Sequence, residues 1–432
     1  MIRLLYNVLF PIGFILFLPA YAFKMLRRGN NLQNLGQRFA IYSADVKERL
    51  ARSPRTWIHA VSVGEVGIAL KLAAKLKQID PDFACALTTT TTTGFAFARQ
   101  EACDWIEVLY NPLDFWLIIR RAFAIIRPLR IILVEAEVWP NLVAIGRAKQ
   151  IPIALVNARL SRRSEQRFHQ FKRFVAPTFR CLDLVCVQEP EDVDRWAQLG
   201  IPHDRIVVVG SVKFDPAEIK LNPALPLQVL RAFGIETGCP ILLGGSTHAG
   251  EEEILGKIFQ RLRVDFPTLT LIIAPRHVER VPEVRARLEQ MSLRTVLRSE
   301  VGITPASPVE CLLLDTTGEL QHWYAAATIV FIGKSMTARG GQNPVEPIIA
   351  GKPVLFGPHM ENFSVLAHGL VTNKAAVQVD TPNSLQHQIE RLLRDRDAVS
   401  RLVANSAVVV AAHAGATART ASLVSALRSR AV

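Results

Sequence analysis

Short apolar runs recur along the chain, and each ends in a polar turn. The runs at 57–62, 83–88, 130–135, 153–157, 182–188 and 206–210 read as strands. Helical periodicity separates them, most clearly over 66–78. A stretch at 215–227 carrying Pro216, Pro223 and Pro226 reads as a linker. The pattern then restarts with runs at 240–245, 269–274, 310–314, 328–332 and 353–356. Amphipathic helices rich in Ala, Val and Arg close the chain from 384 onward and are free to pack on either half. Apolar strands alternating with helices predict parallel, doubly wound sheets. The expected fold class is therefore α/β, with two Rossmann-like domains facing a cleft. Their boundaries fall at 25–215 and 216–432, preceded by an appendage at 1–24. Ligands of such sheets sit beyond the carboxyl ends of the strands. The polar turns after Ser62, Leu87, Val134, Leu243, Ala274 and Ile332 all fall there.

The appendage has its own character. Residues 4–23 are nearly all apolar, with Asn7 the one strongly polar side chain. Roughly 20 such residues cross a bilayer core. Arg3 precedes the segment, and Lys24, Arg27 and Arg28 follow it. The heavier positive flank lies C-terminal, which keeps the rest of the chain on the cytoplasmic side. Ala20-Tyr21-Ala22 resembles a signal-peptide cleavage site, but the preceding basic region is weak and basic residues follow at once. Pro11 and Pro19 suit a kinked anchor or an interfacial helix as well as a span.

A length of 432 residues with 50% hydrophobic composition supports two cores without staples. The net charge of +13 favours anionic partners, nucleotides or acidic lipid surfaces. No basic–aromatic module or Arg-rich tail is present, which argues against nucleic acid. The six cysteines show no CxxC pair and no zinc spacing, so buried free thiols are expected and no metal is implied.

The richest turn runs from Gly333-Lys334-Ser335 to Gly340-Gly341-Gln342-Asn343-Pro344-Val345-Glu346. Glycines allow close approach to a phosphate, a helix N-terminus offers N–H groups, and a carboxylate suits sugar hydroxyls. An ordinary βα turn has the same appearance. Ser62-Val63-Gly64-Glu65 places a carboxylate where it can take a proton from a hydroxyl, or where it merely serves a helix dipole. Glu135-Ala136-Glu137 ends a strand with two acids, in a positioning or structural role. The basic loop at 157–164, with Arg159, can grip an acceptor phosphate or lie in solvent. Gly244-Gly245-Ser246-Thr247-His248 suits a phosphate or carboxylate, and Glu251-Glu252-Glu253 after it reads as an ordinary acidic first turn. Arg276, after a strand, offers a fork of donors to phosphate oxygens or to an internal carboxylate. No serine-protease or cysteine-nucleophile order, HExxH, Walker A or GxGxxG pattern appears.

In order along the chain, these turns resemble the 3-deoxy-D-manno-octulosonic acid (Kdo) transferase family. The likeness is carried by Ser62 to Glu65, Thr88 to Gly94, Tyr110-x-Pro112-x-Asp114 and Asn157 to Ser161. It continues through Gly245-Ser246-Thr247-His248, Pro275-Arg276-His277 and Gly340-Gly341-x-Asn343-x-x-Glu346-Pro347. The resemblance implies a GT-B enzyme of the inner membrane that uses CMP-Kdo and a lipid A precursor, inverts at the anomeric carbon and needs no cofactor. It implies Glu65 as general base and Arg276 on the CMP phosphate. It also implies Asn343 and Glu346 on the donor, with Ser246 and His248 lining that side; Gly333, Lys334, Ser335, Gly340 and Gly341 of the glycine-bearing turn are expected to bind the donor with them. It implies Glu137 as organiser of the acceptor side, and Glu135, Glu137 and Arg159 are expected to be acceptor-side or structural residues. The chain departs from the family pattern at Ala136, Lys334, Gln342 and near Ser211. A GT-B enzyme taking a UDP-sugar, and a non-catalytic nucleotide or lipid binder, are the competing expectations.

Overall fold

The computed structural model describes residues 5–14, 16, 34–160, 162–215, 221–236, 238–302 and 309–427. Its contacts divide the chain into two units, Met1–Asp215 with Gly415–Val432, and Pro216–Ala414.

The first unit holds β1 (Arg55–His59), β2 (Cys85–Thr89), β3 (Ile106–Tyr110), β4 (Pro128–Val134), β5 (Ile153–Ala158), β6 (Leu184–Val187) and β7 (Ile206–Val208). All neighbouring pairs are parallel, in the order β3-β2-β1-β4-β5-β6-β7. Successive strand residues point to opposite faces. Trp57, Ile131, Leu133, Ile153 and Leu155 therefore build one core, while Ile58, Ile132, Val134, Ala154 and Val156 build another. With both faces covered, a strand must be apolar throughout, which is why these runs show no alternation.

The second unit repeats the plan with β8 (Ile241–Thr247), β9 (Thr270–Pro275), β10 (Thr295–Leu297), β11 (Cys311–Leu313), β12 (Ile329–Ile332), β13 (Val354–Phe356) and β14 (Val377–Gln378). Their order is β10-β11-β9-β8-β12-β13-β14, again all parallel.

The hydrophobic pattern misses β3, β10 and β14, and each is the edge of its sheet. These three edge strands carry polar residues, Glu107, Thr295 and Gln378, which dilute the apolar signal. The expected linker is also shorter than it reads. The helix Ala224–Ala232 starts inside it, with Pro226 in its first turn, where proline costs no hydrogen bond. Residues 216–220 of that stretch lie outside the described residues. Of the six cysteines, Cys85, Cys186 and Cys311 are buried thiols, whereas Cys103 is exposed and Cys181 and Cys239 are partly so.

The expected N-terminal span needs correction. Its described part is the helix Leu5–Phe14 and residue 16; positions 4, 15 and 17–23 lie outside the described residues. Tyr6 donates to Asp114 at 3.0 Å, and Asn7 and Asn141 exchange two amide hydrogen bonds at 3.0 and 2.8 Å. Among the described residues the one stretch long and apolar enough to cross a membrane is C-terminal, Arg396–Ala426. It is two helices, Arg396–Ala411 and Ala416–Ala426, broken at Gly415 (φ 75°) and packed through buried faces. Ala421 and Val424 of the last helix join a core of the first unit.

Candidate active site

In the first unit, β1 runs into the helix Val63–Ile79. Ser62 caps that helix, its Oγ accepting from the Glu65 N–H at 3.4 Å. Glu65 reaches back in return. Its Oε1 accepts from the Ser62 hydroxyl at 2.8 Å and its Oε2 from the Val61 N–H at 2.9 Å. The dipole-serving role of Glu65 is thus real, and it also fixes the carboxylate in one orientation. The threonine run braces the same point, since the Thr89 and Thr91 hydroxyls donate to the Val61 carbonyl at 3.0 and 2.9 Å.

Glu135 and Glu137 follow β4 and lie within electrostatic reach of Glu65. Burial pushes the Glu137 carboxyl up to about 7, helped by the charges of Glu65 and Glu135. Burial and Glu65 also raise Glu135, while Arg159 and Lys213 oppose the shift. Burial lowers the Lys213 ammonium and Arg159 pulls it further down, while Glu135 supports it. The structure therefore gathers Glu65, Glu135, Glu137 and Arg159 and adds Lys213. Sequence reading passes over Lys213, a lone lysine in the turn after β7. Asn157 holds that turn, its Oδ1 accepting from the Val212 N–H at 3.0 Å and the Ser211 hydroxyl at 3.3 Å. The basic loop expected at 157–164 is helical from Arg162, and Ser161 lies outside the described residues.

In the second unit the donor-type loop is built differently from its sequence-based expectation. Several of the loop N–H groups are already occupied. Lys334, Ser335 and Met336 donate to the Glu251 carboxylate at 2.8, 2.9 and 2.9 Å. Gly340 donates to Glu361 at 2.7 Å and Gly341 to the Lys334 carbonyl at 2.9 Å. The Ser335 hydroxyl is fully buried, donates to the Ile332 carbonyl and accepts from the Gly357 N–H. Gly333 is demanded by packing rather than by a ligand, because a Cβ there would stand 2.2 Å from the Ser246 carbonyl oxygen.

Glu251 and Glu252 are accordingly no ordinary first turn. Both are buried. Glu251 also accepts from the His248 N–H at 2.8 Å, and Glu252 takes the Thr247 hydroxyl at 2.9 Å and Arg280 at 2.9 Å. Only Glu253, paired with Arg287, fits the surface reading.

The side chains that remain available form a coherent set. Asn343 donates to Glu346 Oε1 at 3.2 Å and accepts from the Val345 N–H at 3.0 Å. Burial raises the Glu346 carboxyl, while Asn343 and the Arg276 charge hold it down. Arg276 thus lies in the field of Glu346, in the same unit. Tyr324, unread in the sequence, is buried and lies in the field of Glu346, and a Cβ added at Gly245 would stand 2.8 Å from its hydroxyl. His248 and His277 face each other edge to face at 6.0 Å. Burial lowers the His248 imidazole, with Lys334 and His277 adding to the effect.

One backbone feature links the two units. Glu135, Asn157, Ser246 and Lys334 all take positive φ (60°, 52°, 54° and 56°), each at or just past the carboxyl end of a strand. Each such residue costs on the order of 1–2 kcal/mol. Among the described residues no cluster of three or more His, Cys, Asp or Glu is placed to hold a metal ion.

Residues 33–216 match the family model described as 3-deoxy-D-manno-octulosonic-acid transferase (kdotransferase). The 3-deoxy-D-manno-octulosonic acid transferase of Haemophilus influenzae is 33% identical over 349 residues, 80% of this chain and 81% of that protein. The transferase of the same name from Bordetella pertussis is 34% identical over 373 residues, 84% of this chain and 85% of its own length. Among solved structures, the UDP-GlcNAc 2-epimerase from Neisseria meningitidis superposes with a TM-score of 0.53 at 13% identity, covering 86% of this chain and all of the epimerase. That likeness shows a shared GT-B-like architecture of two Rossmann-type sheets. By its sequence relatives, this chain belongs to the 3-deoxy-D-manno-octulosonic acid transferase family and is a glycosyltransferase.

Proposed function

We propose that this chain transfers Kdo from CMP-Kdo to a hydroxyl of a lipid A precursor, with inversion, at the cytoplasmic face of the inner membrane. One observation carries the reading: Glu65 is buried, its carboxylate is pinned by the Val61 N–H and the Ser62 hydroxyl, and two further carboxyls crowd it. A pinned carboxylate is prepared to take a proton from a correctly placed hydroxyl. The freed oxygen attacks the anomeric carbon of Kdo, and the bond from that carbon to the CMP phosphate breaks. The departing phosphate keeps the electron pair.

Positive side chains are suited to meet that charge, since the Lys334, Ser335, Met336 and Gly340 N–H groups are committed to Glu251 and Glu361. Arg276 and Lys334 take this role, with Asn343 and Glu346 on the ribose hydroxyls and Ser246, His248 and the Gly340-Gly341 turn lining the donor. Glu135, Glu137, Arg159 and Lys213 orient the acceptor and its phosphates.

The test is transfer from CMP-Kdo to a tetra-acylated lipid A precursor, with products resolved by mass. Wild type should form the adduct, and Glu65→Gln should lower turnover by about 10²–10⁴. Preference for UDP over CMP in nucleotide binding, or unchanged transfer by Glu65→Gln, overturns the assignment. A wild type that binds CMP-Kdo yet transfers nothing favours the binder reading.

A further inference from the structure

The first unit contains a cavity of about 540 Å³ that none of these roles uses. Its walls are almost wholly apolar. They include Leu9 of the N-terminal helix, Val138, Ala144 of the helix Pro140–Ala148, Phe174 and Phe179 of the helix Lys172–Phe179, and Cys181.

Three observations identify an occupant. The cavity starts beside the acid cluster, since Val138 follows Glu137 directly. The wall formed by the N-terminal helix is locked in place: Asp114 accepts from Tyr6 and also from the Asn141 and Leu142 N–H groups at 2.9 Å, and the Asn7–Asn141 pair lies alongside. The helices around it present exposed Arg167, Lys172, Arg173 and Arg180, with Phe171 and Phe174 about half exposed. An apolar slot offers water no partners and takes an apolar ligand instead. Cations around such a slot complement a negatively charged headgroup.

We infer that this cavity is a subsite for one fatty acyl chain of the anionic glycolipid acceptor. It would fix the acceptor's headgroup relative to Glu65, and the N-terminal helix would serve as one wall of the subsite. The inference rests on the lipid-acceptor reading above. It goes further by assigning the chain's most hydrophobic segment to acceptor recognition.

Two measurements on the full-length protein test it. Ala144→Phe fills the cavity from a partly exposed position. It should raise KM for the tetra-acylated precursor about tenfold, the worth of about two buried methylenes. KM for CMP-Kdo, and transfer to a fully deacylated acceptor, should stay at the wild-type level. Equal losses with both acceptors, or no change with either, overturn the proposal.

The second measurement needs no transfer. In a Cys103→Ser, Cys239→Ser background, Cys181 is the remaining thiol that is not buried. The tetra-acylated precursor should protect it from maleimide, and phosphatidylglycerol vesicles at equal lipid concentration should not. Equal protection by the vesicles assigns the cavity to bulk lipid and overturns the acceptor assignment. Absence of protection by either lipid also overturns it. Protection by the precursor in a chain that transfers nothing would leave the subsite standing while the catalytic reading fails.

Discussion

Two sets of carboxylates, one in each unit, are held in opposite ways. In the second unit Glu251 accepts four backbone N–H bonds, Glu252 a hydroxyl and a guanidinium, and Glu361 one further N–H. Their charge is spent on holding the loops that end β8 and β12. In the first unit burial and the Glu65 charge raise both Glu135 and Glu137, Glu135 adds to the shift at Glu137, and Arg159 and Lys213 oppose it only at Glu135. A saturated carboxylate is architecture. A crowded one retains proton affinity near neutrality and is available for chemistry.

Substitutions can break this contrast. The largest effect belongs to Glu65→Gln, with turnover down about 10³-fold while urea unfolding shifts little, because glutamine keeps part of the capping geometry. Glu251→Ala should do the reverse at the level of folding. It strands several N–H groups and should cost about 3 kcal/mol or more in chemical denaturation. Donor binding would then fail through a disordered loop rather than a lost contact. Next comes Arg276→Ala, expected to weaken CMP binding about tenfold to a hundredfold in calorimetry through loss of charge-assisted hydrogen bonds, with the melting temperature nearly unchanged.

The smallest effect is a pH slope. Glu137 is raised in the folded state to about 7. Between the unfolded carboxyl range and that value the folded protein binds more protons than the unfolded one. Stability from this group is therefore full at acidic pH and is lost as pH rises through about 7. Glu137→Gln should flatten that slope in denaturation curves taken between pH 5 and 8. Glu65→Gln should lower the Glu137 titration midpoint in carboxyl-carbon NMR, since one repelling charge is gone. An unchanged midpoint would show that the carboxyls are not coupled.

Glu65, Glu137, Arg276, Asn343 and Glu346 stand in turns after apolar strands, yet the residues alone leave each an ordinary structural reading, and it is the resemblance of the ordered turns that singles them out as proposed site residues. Lys213 and Tyr324 are not legible, because a single lysine after β7 and a tyrosine inside the helix Leu320–Ala326 look like any others of their kind. The role of Ser335 also reads wrongly. A serine in a glycine-bearing loop suggests a ligand contact, yet here it links Ile332 to Gly357 inside the protein.

By itself the chain determined what local rules control. Unbroken apolar runs require strands covered on both faces, and periodic helices between them require parallel order. The turns at the strand ends carry an ordered series of motifs that names the family. Tertiary structure decided which polar atoms are already satisfied. The Lys334–Met336 N–H groups meet a carboxylate more than eighty positions earlier in the chain. Asn7 meets a residue 134 positions later. Hydrogen bonds are short-ranged in space but indifferent to separation along the chain. A motif shows that donors exist, and only the fold shows whether they are free.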